Sequence, residues 1–457
     1  MLIRFVVDNI FSFGEQKEFN MIPYGRLQTL PYHKYKVLDF DLLKMASIYG
    51  ANAAGKSNLI KALKLFQELV LSDDIPFELK KSRFRFDKEE NEKQVLAIEF
   101  IQDNHAFYYA VEFVDNIILT EELYKSGLGA GEDKLIFERK TDKNENTEIT
   151  FPNEFEHDEK SQILKSILLE EFVSPHKPVF KLLSNRDNKY LQDIKIAYKW
   201  FKNSLRIITP ESKPQALAHY IEVDPELKRY AEEIMCSFDL GITSLTSESK
   251  KIRDYFGEDN EEEYLKLEKR MEESRRKMIS FTRPDGFDLV LIKDKGDIWV
   301  KQLKILHSGL EKENVIFDLE EESNGTIRLL DFVPMFKDLV SRDRVYFVDE
   351  IESSIHPLLI KELVGKFSLD DNTHGQLIFT THESNLLDQE IFRQDEIWFV
   401  EKDKNGSTDL YSLSEYKEHK TIDIRKGYLS GRYGSIPFLG NLKDLNWHEY
   451  DTQAETI

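Results

Sequence analysis

The sequence predicts an α/β fold: a mixed sheet with flanking helices, an antiparallel β lobe, and a mainly helical insertion. Three observations lead there. A glycine-rich octapeptide, Gly50 to Ser57 (GANAAGKS), stands between an apolar β-rich stretch and a segment of helical period. Runs between about residues 94 and 139 alternate apolar and polar side chains, the pattern of half-buried strands. From residue 285 to about 400, strand-like apolar runs alternate with helical ones.

Taken from the N-terminus, Leu2 to Ile10 reads as a strand, Phe11 to Gly14 as a turn, and Lys17 to Ile22 as the returning strand. Leu42 to Tyr49 is another apolar strand, ending in Gly50. Beyond the octapeptide, Leu59, Ile60, Leu63, Phe66, Leu69 and Val70 recur with helical spacing over Asn58 to Leu71. QVLAIEFIQ, HAFYYAVEFV, NIILTEELYK and KLIFERK then predict antiparallel strands, with QDNH, VDN and GLGAGED as turn-like separators. A first domain, 1–150, closes there.

Residues 151–284 change to long charged segments of helical spacing, with Tyr264, Leu267, Met271 and Met278 on one seam. So short a seam does not establish a coiled coil, and an ordinary amphipathic helix is expected. GEDNEEE (Gly257 to Glu263) reads as a solvated tip. Residues 285–457 return to strands with FDLVLI (Phe287 to Ile292) and IWVKQLKIL (Ile298 to Leu306), completing the α/β body.

Composition narrows the class. The 457 residues hold 63 Lys and Arg against 84 Asp and Glu, a formal net charge of −21. That balance argues against coating nucleic acid through its phosphates, while leaving room for a local basic groove. Cys236 is the single cysteine, so no intrachain disulfide or Cys-rich zinc site is expected, and a reducing, cytoplasmic location is. The opening run is broken by Arg4 and Asp8, too early for a signal peptide. No apolar run reaches the ~18–20 residues of a membrane span.

Gly50 to Ser57 fits the phosphate-binding pattern G-x-x-x-x-G-K-[ST] in its required setting, strand before and helix after. Backbone N–H groups of such a loop and helix start converge on anionic oxygens. Lys56 would reach the β- and γ-phosphates of a nucleotide, and Ser57 would ligate Mg²⁺. Gly55 keeps the loop free of a Cβ where phosphates approach. VYFVDE (Val345 to Glu350) is a buried strand presenting adjacent carboxylates at its C-terminal edge, where open α/β sheets place their sites. Asp349 would hold the magnesium through water, and Glu350 would polarise the attacking water.

QLIFTTHES (Gln376 to Ser384) is a further strand, ending in His382, which can sense a γ-phosphate. ESNGTIR (Glu322 to Arg328) opens a helical stretch, Ile327 to Val340, so Ser323 and Gly325 form a second anion site. Their separation from the acidic strand suits the site of another subunit. Pro334 should kink or shorten that helix. Two basic clusters remain: KKSRFR (Lys80 to Arg85), interleaved with Phe84 and Phe86, and the group Lys269, Arg270, Arg275, Arg276 and Lys277. Either could meet a nucleic-acid backbone or an acidic partner; in acidic surroundings, a solvated face is the simpler reading.

In this order the four elements resemble the ABC-type ATPases and, with the N-terminal strand IRFVVDNIFSF, their SMC-like branch. The resemblance implies an ABC-type ATPase head. It places Walker A at Gly50 to Ser57, the signature motif at Ser323 to Thr326, Walker B at Val345 to Glu350, the D-loop around Glu352 to His356, and the switch histidine at His382. It implies ATP and Mg²⁺, with Gly50, Asn52, Gly55, Lys56, Ser57 and Asn58 at the nucleotide. Ser57, Asp349 and a Q-loop glutamine, for which Gln102 is the candidate, would serve the metal.

His382 to Leu413 and Arg425 to Leu439 look like a bacterial group of stand-alone ABC ATPases of antiphage defence. The ATPase components of PARIS-type, OLD-type and abortive-infection systems are among its members. The likeness covers roughly residues 1–130 and 285–440. The signature departs from the transporter-like SGGQ, reading SNGT, and an insertion of about 130 residues is too short for the arms of chromosome-organising proteins.

The expectation is an ATP-hydrolysing switch, a homodimer of heads or a higher homo-oligomer, controlling a separately encoded Toprim or HNH nuclease. Nucleic acid is a further candidate partner; a membrane is not. No nuclease is expected in the chain: 75 residues follow His382, against the ~100 such a domain needs, and Asp39-Phe40-Asp41 precedes the phosphate loop. The alternatives are a DNA-repair ATPase that clamps duplex DNA and, more weakly, the ATPase of a transporter.

Overall fold

The computed structural model describes residues 1–86, 92–129, 131–257, 260–274, 276–283, 288–309, 313–416 and 423–435. The chain sorts into two compact units. One, here the loop unit, takes Leu2–Leu30, Ala46–Tyr198 and the described part of Thr380–Ile457. The other, the acid unit, takes Met1, Pro31–Met45 and Lys199–Phe379.

In the loop unit seven strands form the expected antiparallel lobe. Their order is Thr147–Thr150, Lys134–Thr141, Ile117–Lys125, His105–Val114, Gln94–Gln102, Leu2–Asp8 and Lys17–Asn20. Alternation is the cause: Phe107, Tyr109, Val111 and Phe113 share one face of their strand and are buried. Asp103 and Asn104 join two central strands with φ values of 48° and 59°, the left-handed pair of a tight hairpin. Helix Lys56–Leu71 sets Phe66 against Phe5 and Tyr109, with ring centroids 6.3 and 5.5 Å away. Met45–Gly50 runs parallel to Ile397–Lys402, which pairs antiparallel with Thr408–Ser412.

In the acid unit Leu205–Ile208, Val345–Val348 and Gln376–Thr381 pair in parallel. Helix Pro357–Leu369 connects the last two, and Asn324–Ser341 precedes the middle one. Val345–Val348 is buried throughout, as a strand covered on both faces must be. A second, antiparallel sheet has the order Ile242–Lys251, Asp297–Ser308, Asp288–Asp294, Met278–Thr282, with Asn314–Asp318 also on Asp297–Ser308. Helix Glu261–Glu273 buries Tyr264, Leu267 and Met271 in a cluster with Leu289, Leu291 and Val300. That is the ordinary amphipathic helix expected.

Several expectations need correction. Residues 151–284 are helical over most of their described length, yet three strands also run through the described part. Leu205–Ile208 is too short to announce itself and becomes a strand by pairing with Val345–Val348. Ile242–Lys251 (ITSLTSESKK) is too polar to stand out, but pairs along most of its length with Asp297–Ser308. Met278 leaves the helical seam, because the helix stops at Glu273 and Met278 opens a strand.

Leu42 to Tyr49 is broken at Lys44, whose buried ammonium donates to Ser368 O (3.3 Å) and Asp370 O (2.5 Å). Pro334 does not shorten its helix, which runs on to Ser341. Burial of Leu329, Leu330, Phe332, Val333, Met335 and Phe336 along it outweighs the N–H that proline lacks. Residues 258–259, Arg275, Phe287 and 436–439 lie outside the described residues. No helix among the described residues is long and apolar enough to cross a membrane.

Candidate functional site

Strand Met45–Gly50 delivers the chain to the glycine-rich loop, and helix Lys56–Leu71 carries it away. A Cβ on Gly50 would stand 2.5 Å from Val400 O, so the loop starts where only glycine fits. Gly55 has φ 122°, and a Cβ there would overlap Thr408 Oγ1. Gly55 is also the N-cap residue, so no side chain caps the helix, and its first turn carries no acid. A helix start of that kind offers N–H groups and positive dipole charge to an anion.

Lys56 is only 4% exposed. Its Nζ donates to Gly50 O (2.7 Å), Ala51 O (3.1 Å) and His382 Nδ1 (3.4 Å). An ammonium can only donate, so Nδ1 accepts and the imidazole proton belongs on Nε2. Asn52, Ser57 and His382 are exposed. The structure therefore brings Lys56 and His382 together within the loop unit, as the motif order suggested.

Three further residues underpin the loop without having been expected. Thr408 Oγ1 reaches Ala54 O (2.9 Å) and Ser12 Oγ (2.7 Å), and accepts from Lys402 Nζ (3.0 Å). Asn58 Nδ2 donates to the same Ser12 Oγ (2.8 Å). No motif announces them, since their roles arise only where the strand Thr408–Ser412 meets the loop.

A cavity of about 430 Å³ lies beside Ser12 and Asn58, with Phe11, Phe84, Phe86 and the cations of Lys81, Arg85 and Lys402 in its wall. The reading of KKSRFR as a solvated face holds for Lys81 and Arg85, which are exposed, and not for Ser82 and Phe84, which are buried. Phe84 is 6% exposed and its N–H donates to Asn9 Oδ1 (3.3 Å), Arg83 bridges Ile10, and Phe11 N–H donates to Ser82 O. Backbone pairing with the Ile10 turn, invisible in charge alone, holds the segment in. The second basic cluster was expected to crowd one helix; Lys269 and Arg270 lie on it, and Lys269 pairs with Glu273 at 3.9 Å in solvent. Arg276 and Lys277 follow the helix end rather than sitting on it.

In the acid unit, Asp349 follows the buried strand at 8% exposure, its N–H donating to Ile208 O (2.8 Å). Glu350 has φ 49°, left-handed for a residue with a Cβ. Such a conformation costs of order 1–3 kcal/mol. It is held by a turn in which Glu350 O accepts Ser353 N–H (2.8 Å). A Cβ on Gly325 would lie 2.9 Å from Ser354 O, so the Ser323 turn packs on this same loop only because residue 325 is glycine. Ser323 caps helix Asn324–Ser341: its Oγ accepts Thr326 N–H (3.1 Å). Both Ser323 and Asn324 are exposed.

Gln102 is a correction. Leu2–Asp8 pairs antiparallel with Gln94–Gln102, Asp8 opposite Val95, and the chain leaves Asp8 towards Ser12. Gln102 is therefore at the far end of its strand, seven residues beyond Val95, or about 23 Å at ~3.3 Å per residue. Its Nε2 donates to Asp103 Oδ1 (2.7 Å) at the hairpin, and it does not join Ser57. Among the described residues, no group of three or more His, Cys, Asp or Glu gathers to hold a metal.

A glycine-rich phosphate-type loop at the end of a parallel strand, leading into an uncapped helix, defines an α/β domain of the ATPase class. Residues 45–388, most of the chain, match the family described as "AAA domain, putative AbiEii toxin, Type IV TA system", and the chain belongs to that family. No curated protein matches it. Among solved structures, the SMC head bound to the C-winged helix domain of ScpA is 13% identical, with 91% of this chain and 99% of that one covered and a TM-score of 0.43. The SMC head domain from Thermotoga maritima is 12% identical, over 90% and 98%, at 0.37. The Smc head domain bound to the C-terminal domain of ScpA from Pyrococcus furiosus is 14% identical, over 94% and 99%, at 0.39.

Proposed function

We propose that the protein binds ATP with Mg²⁺ and hydrolyses it as an ABC-type switch. The observation that carries this is the Lys56 ammonium, buried behind an uncapped helix start and held by the loop's own carbonyls and His382. A triphosphate is the natural occupant of such a cradle, and its γ-phosphate would take Lys56 from those carbonyls. Gly50, Asn52, Gly55 and Asn58 complete the phosphate contacts. The 430 Å³ cavity suits the base and ribose, whose ring would meet Phe84 and Phe86. Bound Mg²⁺ neutralises phosphate charge, and needs only one or two protein oxygens beside the phosphates, here Ser57 and, through water, Asp349. Glu350 positions the attacking water, and His382 reads the γ-phosphate.

Exposed Ser323 and half-buried Gly325 would complete the centre of a second copy, making a dimer of heads the working unit. The family's description as a putative toxin of a type IV system supports a role in controlling a toxic effector. We assign that effector to a separately encoded Toprim or HNH nuclease, acting in antiphage defence in the cytoplasm. Phosphate release from ATP by the purified protein tests the activity, and its absence with Mg²⁺ present overturns it. Co-purification with the product of a neighbouring gene tests the partner: recovery of a metallophosphatase-type exonuclease instead would turn the reading to DNA repair.

A further inference from the structure

The acid unit contains a cavity of about 650 Å³ that the nucleotide reading does not use. It is walled by the edge strand Leu205–Ile208, the helix Asn324–Ser341, and the helices Leu217–Val223 and Pro225–Ser237. That volume lies within the range of small-molecule sites. Leu217, Leu227 and Met335 supply an apolar wall.

Its charges do not balance. The acids in the wall are Asp331 and Asp338, and both are engaged. Asp331 pairs with Lys213 (2.9 Å), and Asp338 with Arg342 (3.1 Å), Arg344 (3.2 Å) and the Tyr346 hydroxyl (2.8 Å). Among the described residues, two arginines in the wall form no salt bridge with a carboxylate: Asp331 and Glu211 act on Arg328, and Asp338 on Arg206, only from beyond ion-pair distance. Arg328 is 4% exposed; it donates to Ser212 O and Thr209 O, both at 3.1 Å, and lies 4.5 Å over the Phe332 ring, while its Nε has no hydrogen-bond partner. Arg206 is half-buried and donates to Lys202 O (3.1 Å) and Leu205 O (2.9 Å). Backbone carbonyls are weak compensation for desolvated guanidinium charge, which ordinarily has a counter-ion.

We propose that this cavity binds a small organic anion, its carboxylate or phosphate received by Arg206 and Arg328 and its apolar body by Leu217, Leu227 and Met335. The occupant touches the helix that carries Ser323 and Gly325 and the strand paired with the one that leads into Asp349. Ile208 O accepts the Asp349 N–H, and Arg328 stands little more than one helical turn beyond the Ser323 cap. Binding therefore stabilises the arrangement of that strand and helix by linkage. The site stands whether or not the protein hydrolyses ATP.

The test is calorimetric titration of the full chain with 2-naphthoate, an aromatic carboxylate, and with AMP, an organic phosphate. AMP is counted at this site only if it competes with naphthoate. The expected result is a single saturable naphthoate site whose affinity falls about tenfold or more in Arg206→Met or Arg328→Met, the loss of a charge-assisted bond. Competition by AMP assigns the site to phosphates as well; failure to compete restricts it to carboxylates. Circular dichroism establishes that each variant is folded, and Arg206→Met keeps the test valid if Arg328→Met is not. Absence of naphthoate binding, or unchanged affinity in every folded variant, overturns the site.

Discussion

The ammonium of Lys56 lies 3.4 Å from Nδ1 of His382, although 326 positions separate the two residues in the chain. Around them the loop is closed on itself, with Lys56 held by Gly50 O and Ala51 O. Lys56→Ala is expected to lower both ATP affinity and turnover, whereas His382→Ala lowers turnover by ~10²-fold or more with affinity little changed. Fluorescent-nucleotide titration and phosphate release separate the two. Normal turnover in Lys56→Ala would rule out the loop as the nucleotide site.

Thr408 supports the loop from a distant strand. Thr408→Val keeps the shape but removes the hydroxyl that joins Ala54 O, Ser12 and Lys402. If about one bond's worth of that support, roughly 1 kcal/mol, bears on the loop's phosphate-binding shape, ATP binding should weaken several-fold. Gly55→Ala should abolish it, since the added methyl collides with Thr408 in a left-handed backbone. Equal affinity in Thr408→Val would make the contact merely architectural.

Glu350 combines strain with chemistry. Glu350→Gln should retain ATP binding, slow turnover by ~10²–10⁴-fold, and accumulate an ATP-dependent dimer by light scattering. Glu350→Gly should abolish turnover too, yet raise the unfolding free energy by roughly 1 kcal/mol, because glycine occupies φ 49° without penalty. A glycine variant less stable than wild type contradicts the strain argument.

Phe86 is 73% exposed at the edge of the smaller cavity. Phe86→Ala should weaken binding of ATP and leave inorganic triphosphate untouched, because the ring serves only the base. If both ligands weaken equally in competition titrations, the cavity is not the base site.

Glu121 fastens the β lobe to the helix Phe180–Ser184, accepting Val179 N–H (2.8 Å), Phe180 N–H (2.9 Å) and the Tyr109 hydroxyl (3.0 Å) while fully buried. Glu121→Ala strands those donors and should cost about 3 kcal/mol or more in denaturant unfolding. Burial raises the Glu121 pKa, so the folded state holds its proton more tightly than the unfolded chain. That contribution is complete below the ordinary Glu range near ~4.3 and is lost as pH rises through the raised value. The stability gap between wild type and Glu121→Ala should therefore narrow from pH 4 to pH 7; a widening gap would reverse the assignment.

Local patterns were legible wherever one short stretch carries the whole signal. The alternation of HAFYYAVEFV becomes a strand, and the helical period after the loop becomes Lys56–Leu71, starting two residues earlier than expected. Gln102 misled because a glutamine at a strand's end says nothing about which end of the sheet it occupies. KKSRFR was legible only in part: Lys81 and Arg85 are exposed as their charges advertise, while backbone bonds and Phe84 anchor the segment.

The linear order of residues was enough to establish a phosphate-type loop, an acidic strand and the class of fold, because loop, strand and helix are encoded within a few neighbours. Which distant groups complete them was decided only by packing. Thr408 beneath Gly55, His382 beside Lys56 and the Arg328 guanidinium on the carbonyls of Thr209 and Ser212 depend on contacts between segments tens to hundreds of residues apart. Hydrogen bonding and charge balance act through space, and no pattern of neighbours records which groups will meet.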